Sequence, residues 1–169
     1  MAEDPDFSQW AGARWPTLVR SAVLLGCSVH EAEDVTQTAL LRCFRSWEKV
    51  LRAEDMDAYV YRVLLNCQRD SRRRRWWREE PTQLVPDSAA PTDIAATVVI
   101  EDAVERALGS LSKPSRAVVV LRFYAHLTEA QIAQVLKIPG GTVKSRLSRA
   151  LTQLSANEHL ADLSGRRNQ

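Results

Sequence analysis

The chain has 169 residues, the length of one ordinary domain or two small ones, which excludes large multidomain enzymes. Hydrophobic residues make up 45% and charged residues 26%, with only 7 Pro and 6 Gly, so a packed interior can form and disordered or collagen-like chains are excluded. The net charge of +2 gives no reason to expect an anionic partner, but its distribution does. From Arg62 to Arg78 there are seven arginines against one acid, Asp70, whereas Glu79 to Glu105 carries almost only acids. Screening over ~8 to 10 Å lets such a local basic patch attract phosphate although the whole molecule is nearly neutral.

Apolar runs such as Ala22-Val23-Leu24-Leu25 and Ala117 to Leu121 fall far short of the ~20 residues of a membrane-spanning helix, so no membrane span is expected. The acidic start, Met1-Ala2-Glu3-Asp4-Pro5-Asp6, lacks the features of a secretory signal, and the expected compartment is the cytoplasm. Cys27, Cys43 and Cys67 form no C-x-x-C pair and are odd in number, so they are read as buried thiols. His30, His126 and His159 lie far apart, and neither a nucleophile elbow nor a phosphate loop occurs. No catalytic centre, metal or cofactor is expected.

In chain order, Trp10, Trp15, Leu18, Val19, Ala22, Val23 and Leu25 form a helical stripe in which Pro16 should start or kink the main helix, and Gly26 ends it. Ser28 and Glu31 make a capping-box pattern for a second helix in which Val35, Ala39, Cys43 and Trp47 recur every four residues. Its other face, with Glu33, Asp34, Gln37, Thr38 and Arg42, is polar enough to stay wet or to meet a partner. A charged connection, Lys49 to Asp55, precedes a third helix whose apolar side is Tyr59, Val60, Val63, Leu64 and Cys67. It carries Arg62, Asn66, Arg69 and then Arg72 to Arg75, a crowding of like charge that an anionic ligand would relieve. Trp76 and Trp77 stand inside this run, and two readings stay open: packing in their own bundle, or stacking on unpaired bases or a neighbouring helix.

From Pro81 to about Thr97 periodicity is lost and three prolines gather, as in an extended linker. A helical stretch, Val98 to Leu108, follows, then a helix entered through Ser112 and Pro114 and running to about His126. Thr128 with Gln131 is a second capping box, Ile132, Ala133, Val135 and Leu136 are apolar, Lys137 to Gly141 breaks the helix, and Thr142 starts another through Val143, Leu147, Ala150, Leu151 and Leu154. This pattern is a helix-turn-helix, with Lys144, Ser145, Arg146, Ser148 and Arg149 on the exposed part of its second helix. Arginine there can read guanine bidentately, and lysine and serine can hold phosphates or base edges.

Three segments carry a family resemblance: Glu31 to Arg42, Ala58 to Asn66, and Leu111 to Arg122 together with Gly141 to Ala150. In this order, with a linker of this length, they make the chain resemble the extracytoplasmic-function (group IV) sigma factors of the sigma-70 family, in particular their SigE-like branch. The resemblance extends over about Phe7 to Leu154. It implies an all-α chain of two small helical domains joined by an extended linker: region 2 over 1–79, the linker over 80–99, the region 4 helix-turn-helix over 100–157, and a flexible tail over 158–169, too short for an added regulatory domain.

The implied function is binding of core RNA polymerase and promoter-specific transcription initiation, including melting of the minus-ten element, by a chain that is not itself an enzyme and is a monomer when free. The implied surfaces are Asp34, Gln37, Thr38 and Leu41 for the polymerase. Arg62, Asn66, Arg69, Arg72 and Arg73 fall to minus-ten DNA, and Thr142, Lys144, Ser145, Arg146 and Arg149 to the minus-thirty-five major groove. The acidic linker would thread a basic polymerase channel, and an anti-sigma factor is left open as a further partner. Thr38 stands where the family often has an acidic residue, and Tyr59 where it often has tryptophan. The competing reading is a stand-alone helix-turn-helix regulator using only the second block, which leaves the first block without a task.

Overall fold

The structure, a computed structural model, describes residues 5–78, 95–158 and 160. Within them the chain forms eight helices: α1 (Pro5–Leu24), α2 (Val29–Arg45), α3 (Trp47–Leu51), α4 (Met56–Arg78), α5 (Ala95–Gly109), α6 (Lys113–Phe123), α7 (Glu129–Leu136) and α8 (Gly140–Ser155). No strand occurs among the described residues. The proline-rich part of the expected linker lies outside them. Its last residues do not: α5 begins at Ala95, ahead of the boundary drawn at residue 100.

The first bundle is built by α1, α2, α3 and α4. Leu18, Leu24, Val35, Ala39, Cys43, Trp47, Val50, Val60 and Leu64 are buried in it. Both halves of the Ser28 capping box form: the Glu31 N–H donates to Ser28 Oγ at 3.3 Å and the Ser28 N–H to Glu31 Oε2 at 2.8 Å. Two expectations are corrected. Helix α1 begins at Pro5, so Pro16 does not start it, and the helix continues through Pro16, because the carbonyl that residue 16 cannot bond belongs to Gly12, an exposed position where water can replace the missing donor. The charged connection begins with a helix of its own, since α2 ends at Ser46, whose φ of −125° breaks the helical path, and α3 turns Trp47 inward as a separate element.

Helices α5 to α8 form the second bundle around Leu108, Val118, Leu121, Leu127, Ile132, Val143, Leu147 and Ala150. Ser112 caps α6 with Pro in its first turn, and the Thr128–Gln131 capping box closes in both directions.

The two bundles pack against one another, which nothing in the sequence pattern announced. Helix α7 lies on α4, and α6 touches α1. The seam is organised by the end of α1, where Leu24 O accepts from Arg116 Nε of α6. Leu25 O accepts from Gln68 at 3.3 Å and from Arg72 at 3.2 Å. Burial and the nearby Arg72 guanidinium lower the Arg116 pKa from its ordinary value. Arg20 of α1 pairs with Glu105 of α5 at 2.7 Å. Across the other side, Asp55 caps α4 by accepting from the Ala58 N–H at 2.7 Å and also accepts from the Gln131 side-chain amide of α7.

Gly26 makes this seam possible. Its φ is +102°, and a Cβ there would lie 3.2 Å from an Arg72 nitrogen and 3.4 Å from an Arg116 nitrogen. Gly26→Ala is expected to lower stability by about 1 to 3 kcal/mol through backbone strain alone. Gly12→Ala, inside α1 with nothing within 4 Å of the new Cβ, is expected to be neutral or to stabilise by about 0.5 to 1 kcal/mol. Urea unfolding of the two variants side by side checks the contrast.

Candidate nucleic-acid interface

The second helix of the helix-turn-helix is held by Val143, Leu147 and Ala150, which are buried and repeat at helical spacing. That anchoring turns Lys144, Ser145, Ser148 and Arg149 outward, with Thr142 and Arg146 half-buried at the edge of the same surface. Ser145 Oγ donates to Thr142 O at 3.1 Å and Arg149 Nε to Ser145 O at 3.3 Å, so both groups are partly satisfied along the helix in the free chain.

The turn differs from its expected form. Lys137 takes the left-handed conformation, with φ 54°, and caps α7 through a bond from its N–H to Ala133 O. Helix α8 opens at Gly140 behind Pro139, so Thr142 lies in its first turn and does not start it. Gly140 and Gly141 have open space where a Cβ would be.

On α4, Asn66 and Arg69 are exposed, and Arg62 is half-buried with its guanidinium 5.2 Å above the Tyr59 ring. Arg73 is exposed and sits 3.8 Å from Asp70. Arg72 does not join them, because it is turned to the Leu25 carbonyl. Its role in the structure is to hold the seam. Arg75 pairs with Glu31, and Arg42 with Asp70 at 3.1 Å. Trp76 and Trp77 are 82% and 79% exposed, so of the two open readings packing within their own bundle falls away.

On α2, Asp34, Gln37, Thr38 and Leu41 share one exposed face, with the Leu41 side chain in solvent. Thr38 Oγ donates to Asp34 O at 2.9 Å, and His30 stands 3.6 Å from the Asp34 carboxylate. A shallow groove of about 220 Å³ joins this face to α4, with Asp34, Thr38, Ser71, Arg74 and Arg75 on its walls. A second groove, about 280 Å³, is walled by Lys49, Asp55, Tyr59 and Arg62 on one side and by Gln134 and Val135 of α7 on the other. The second bundle therefore leans over the first turns of the α4 surface.

Among the described residues no three His, Cys, Asp or Glu side chains gather as a metal site, and no helix is long and apolar enough to cross a membrane. Cys43 and Cys67 are buried and Cys27 is half-buried. Burial, reinforced by the neighbouring Cys67, pushes the Cys43 thiol up to about 11.

Two helical bundles with a helix-turn-helix at the end of the second, and exposed basic faces on both, define the class: a two-part DNA-binding chain of the sigma-70 type. Residues 15–78 match the model of sigma-70 region 2, and residues 101–154 that of sigma-70 region 4. The RNA polymerase sigma-E factor of Streptomyces coelicolor is 35% identical over 98% of this chain and 93% of its own length. The extracytoplasmic-function factor SigW of Bacillus subtilis is 26% identical over 80% of this chain and 79% of its own. Among solved structures, the sigma factor RpoE of Bartonella quintana, in complex with the anti-sigma factor NepR, superposes with a TM-score of 0.70 and 25% identity over 92% of this chain and 97% of that one. The chain belongs to the extracytoplasmic-function sigma factors of the sigma-70 family.

The thiol environments give a check on the first bundle. A neutral Cys43 is favoured in the folded chain, so its contribution to stability is complete below pH 9.0, its unfolded value, and is lost as pH rises toward about 11. The urea midpoint is expected to hold steady from pH 7 to about 9 and to fall above it, and at neutral pH a thiol reagent should modify Cys27 well before Cys43.

Proposed function

We propose that this sigma factor divides its work among the three surfaces described above. The α2 face, Asp34, Gln37, Thr38 and Leu41, docks on core RNA polymerase, where the exposed Leu41 supplies apolar area and the flanking polar groups supply direction. The α4 face, Arg62, Asn66, Arg69 and Arg73, takes the minus-ten element. Arginine contacts to phosphate and a place for an unstacked base offset the few kcal/mol that extruding the base costs. The α8 face, Thr142, Lys144, Ser145, Arg146 and Arg149, enters the minus-thirty-five major groove. Arg72 supports the second surface from behind. Residues 1–79 and, from the start of α5, 95–157 are the two working units, and the acidic, proline-rich segment between them spans polymerase.

As an extracytoplasmic-function sigma factor, the chain binds core polymerase and directs initiation at specific promoters, and it works as a subunit of a catalytic machine without chemistry of its own. The observation that carries the assignment is the joint exposure of Asn66 and Arg69 on α4 and of Lys144, Ser145 and Arg149 on α8 in one chain. A regulator using the second bundle alone gives no task to either surface of the first. The resemblance to a sigma factor captured with an anti-sigma factor supports a protein antagonist as a further partner, with the cytoplasm as the compartment where polymerase is met.

Run-off transcription with purified core polymerase on a promoter library, with and without the chain, tests this reading. New transcripts that need the chain and disappear with Asn66→Ala are expected. Arg146→Ala should cost about 1 to 3 kcal/mol at one base position of the upstream element, whereas Lys144→Ala should weaken binding evenly and reduce the salt slope by about 1. Failure to bind the core enzyme, together with tight binding of the free chain to a palindromic duplex, would move the assignment to a stand-alone regulator.

A further inference from the structure

The face of α4 that carries Arg62, Asn66 and Arg69 does not end with them. At 100° per residue, Arg73, Trp76 and Trp77 return to within about 60° of the same line, so one stripe continues along the exposed helix. Arg73 has a side chain 75% exposed, and the two indoles are 82% and 79% exposed. The other tryptophans of the first bundle behave differently: Trp47 is buried and Trp10 and Trp15 are half-buried. Two adjacent indoles held in water at the end of a 23-residue helix are the largest unpartnered apolar surface on this stripe.

Their surroundings select the partner. Arg72 to Arg75 directly precede the indoles and Arg78 follows. Among the described residues the nearby acids are already engaged, Asp70 with Arg42 and Arg73, and Glu31 with Arg75. No carboxylate among the described residues lies within 4.0 Å of Arg69 or Arg74. Flat π surfaces interleaved with guanidinium groups fit a nucleic-acid strand, whose phosphates meet the cations and whose base or sugar faces meet the rings. Trp76 and Trp77 stand 10 and 11 residues beyond Asn66, about 15 Å along the axis, which is four to five nucleotide spacings of ~3.4 Å.

We propose that Trp76 and Trp77, with Arg73, form a DNA-binding extension of the α4 surface that contacts the promoter four to five nucleotides from the position met by Asn66. This rests on the assignment of α4 to promoter DNA. The indoles give the extension little base preference, because every base offers a face to stack on, so it adds affinity and positions the DNA more than it reads sequence.

The test uses holoenzyme assembled from core polymerase and the full chain. Trp76→Ala and Trp77→Ala are each expected to weaken promoter binding about 10-fold to 100-fold with the affinity for core polymerase unchanged, and Trp→Phe at either position should recover much of the loss by restoring a ring. A benzophenone photo-crosslinker placed at position 76 should mark promoter DNA four to five nucleotides from the site marked by one at position 66. Crosslinks from position 76 to a polymerase subunit, preferential binding of the free chain to anionic phosphatidylglycerol vesicles that the alanine variants lose, or promoter affinity unchanged in both variants would each overturn the proposal. If Asn66→Ala abolishes transcription while the tryptophan variants do not alter promoter binding, only the extension fails. If Asn66→Ala is also silent, the assignment of α4 itself fails.

Discussion

The last turn of α1 presents carbonyls that no further turn of helix can satisfy, and a partial negative charge gathers there. This chain meets that need from both bundles at once. Gln68 and Arg72 reach Leu25 O from α4, and Arg116 reaches Leu24 O from α6. Two guanidinium groups can converge on so small a space because Gly26 has no side chain and tolerates φ of +102°. The arrangement ties the hydrophobic packing of each bundle to the other, since Leu24 is itself wholly buried.

The same constraint sorts the arginines by task. A guanidinium always carries its charge, so its position decides whether it supports the fold or remains available to a partner. Arg72, Arg116 and Arg20 are committed to the seam, and Arg42 and Arg75 to acids between α2 and α4. Arg69 and Arg149 face water with no carboxylate partner among the described residues, and Arg73 faces water beside Asp70, which it shares with Arg42. The committed set neutralises polar groups inside the structure, and the free set leaves positive faces on a chain whose net charge is close to zero.

Most of the helices were legible in the sequence because local chemistry specifies them. The Ser28–Glu31 and Thr128–Gln131 boxes, the Ser112 cap and the buried repeat of Val143, Leu147 and Ala150 all act within a few residues. Three features were not legible, for one reason: each depends on groups distant in the chain or on solvent. Pro16 is tolerated because of where Gly12 faces, α3 forms because Trp47 has a pocket to enter, and Arg72 withdraws from its neighbours because a carbonyl 47 positions earlier accepts it. Composition cannot distinguish Arg72 from Arg73. Likewise, Lys137 carries no sign in its residue type of the left-handed conformation it adopts at the end of α7.

The packing of α7 over Tyr59 and Arg62 has a thermodynamic consequence for any ligand that uses the same side of α4. Gln134 and Val135 share a groove with those two residues, and Gln131 shares Asp55 with the start of α4. A ligand that needs the whole of that side, Tyr59 included, binds only where α7 has moved off the start of α4. Its apparent dissociation constant is then the intrinsic one divided by the fraction of chains in which the bundles have parted, a tenfold weakening for every ~1.4 kcal/mol of closure. For such a ligand the contacts that hold the bundles together, Gln131 to Asp55 and Arg116 to the Leu24 carbonyl, weigh against binding without touching it.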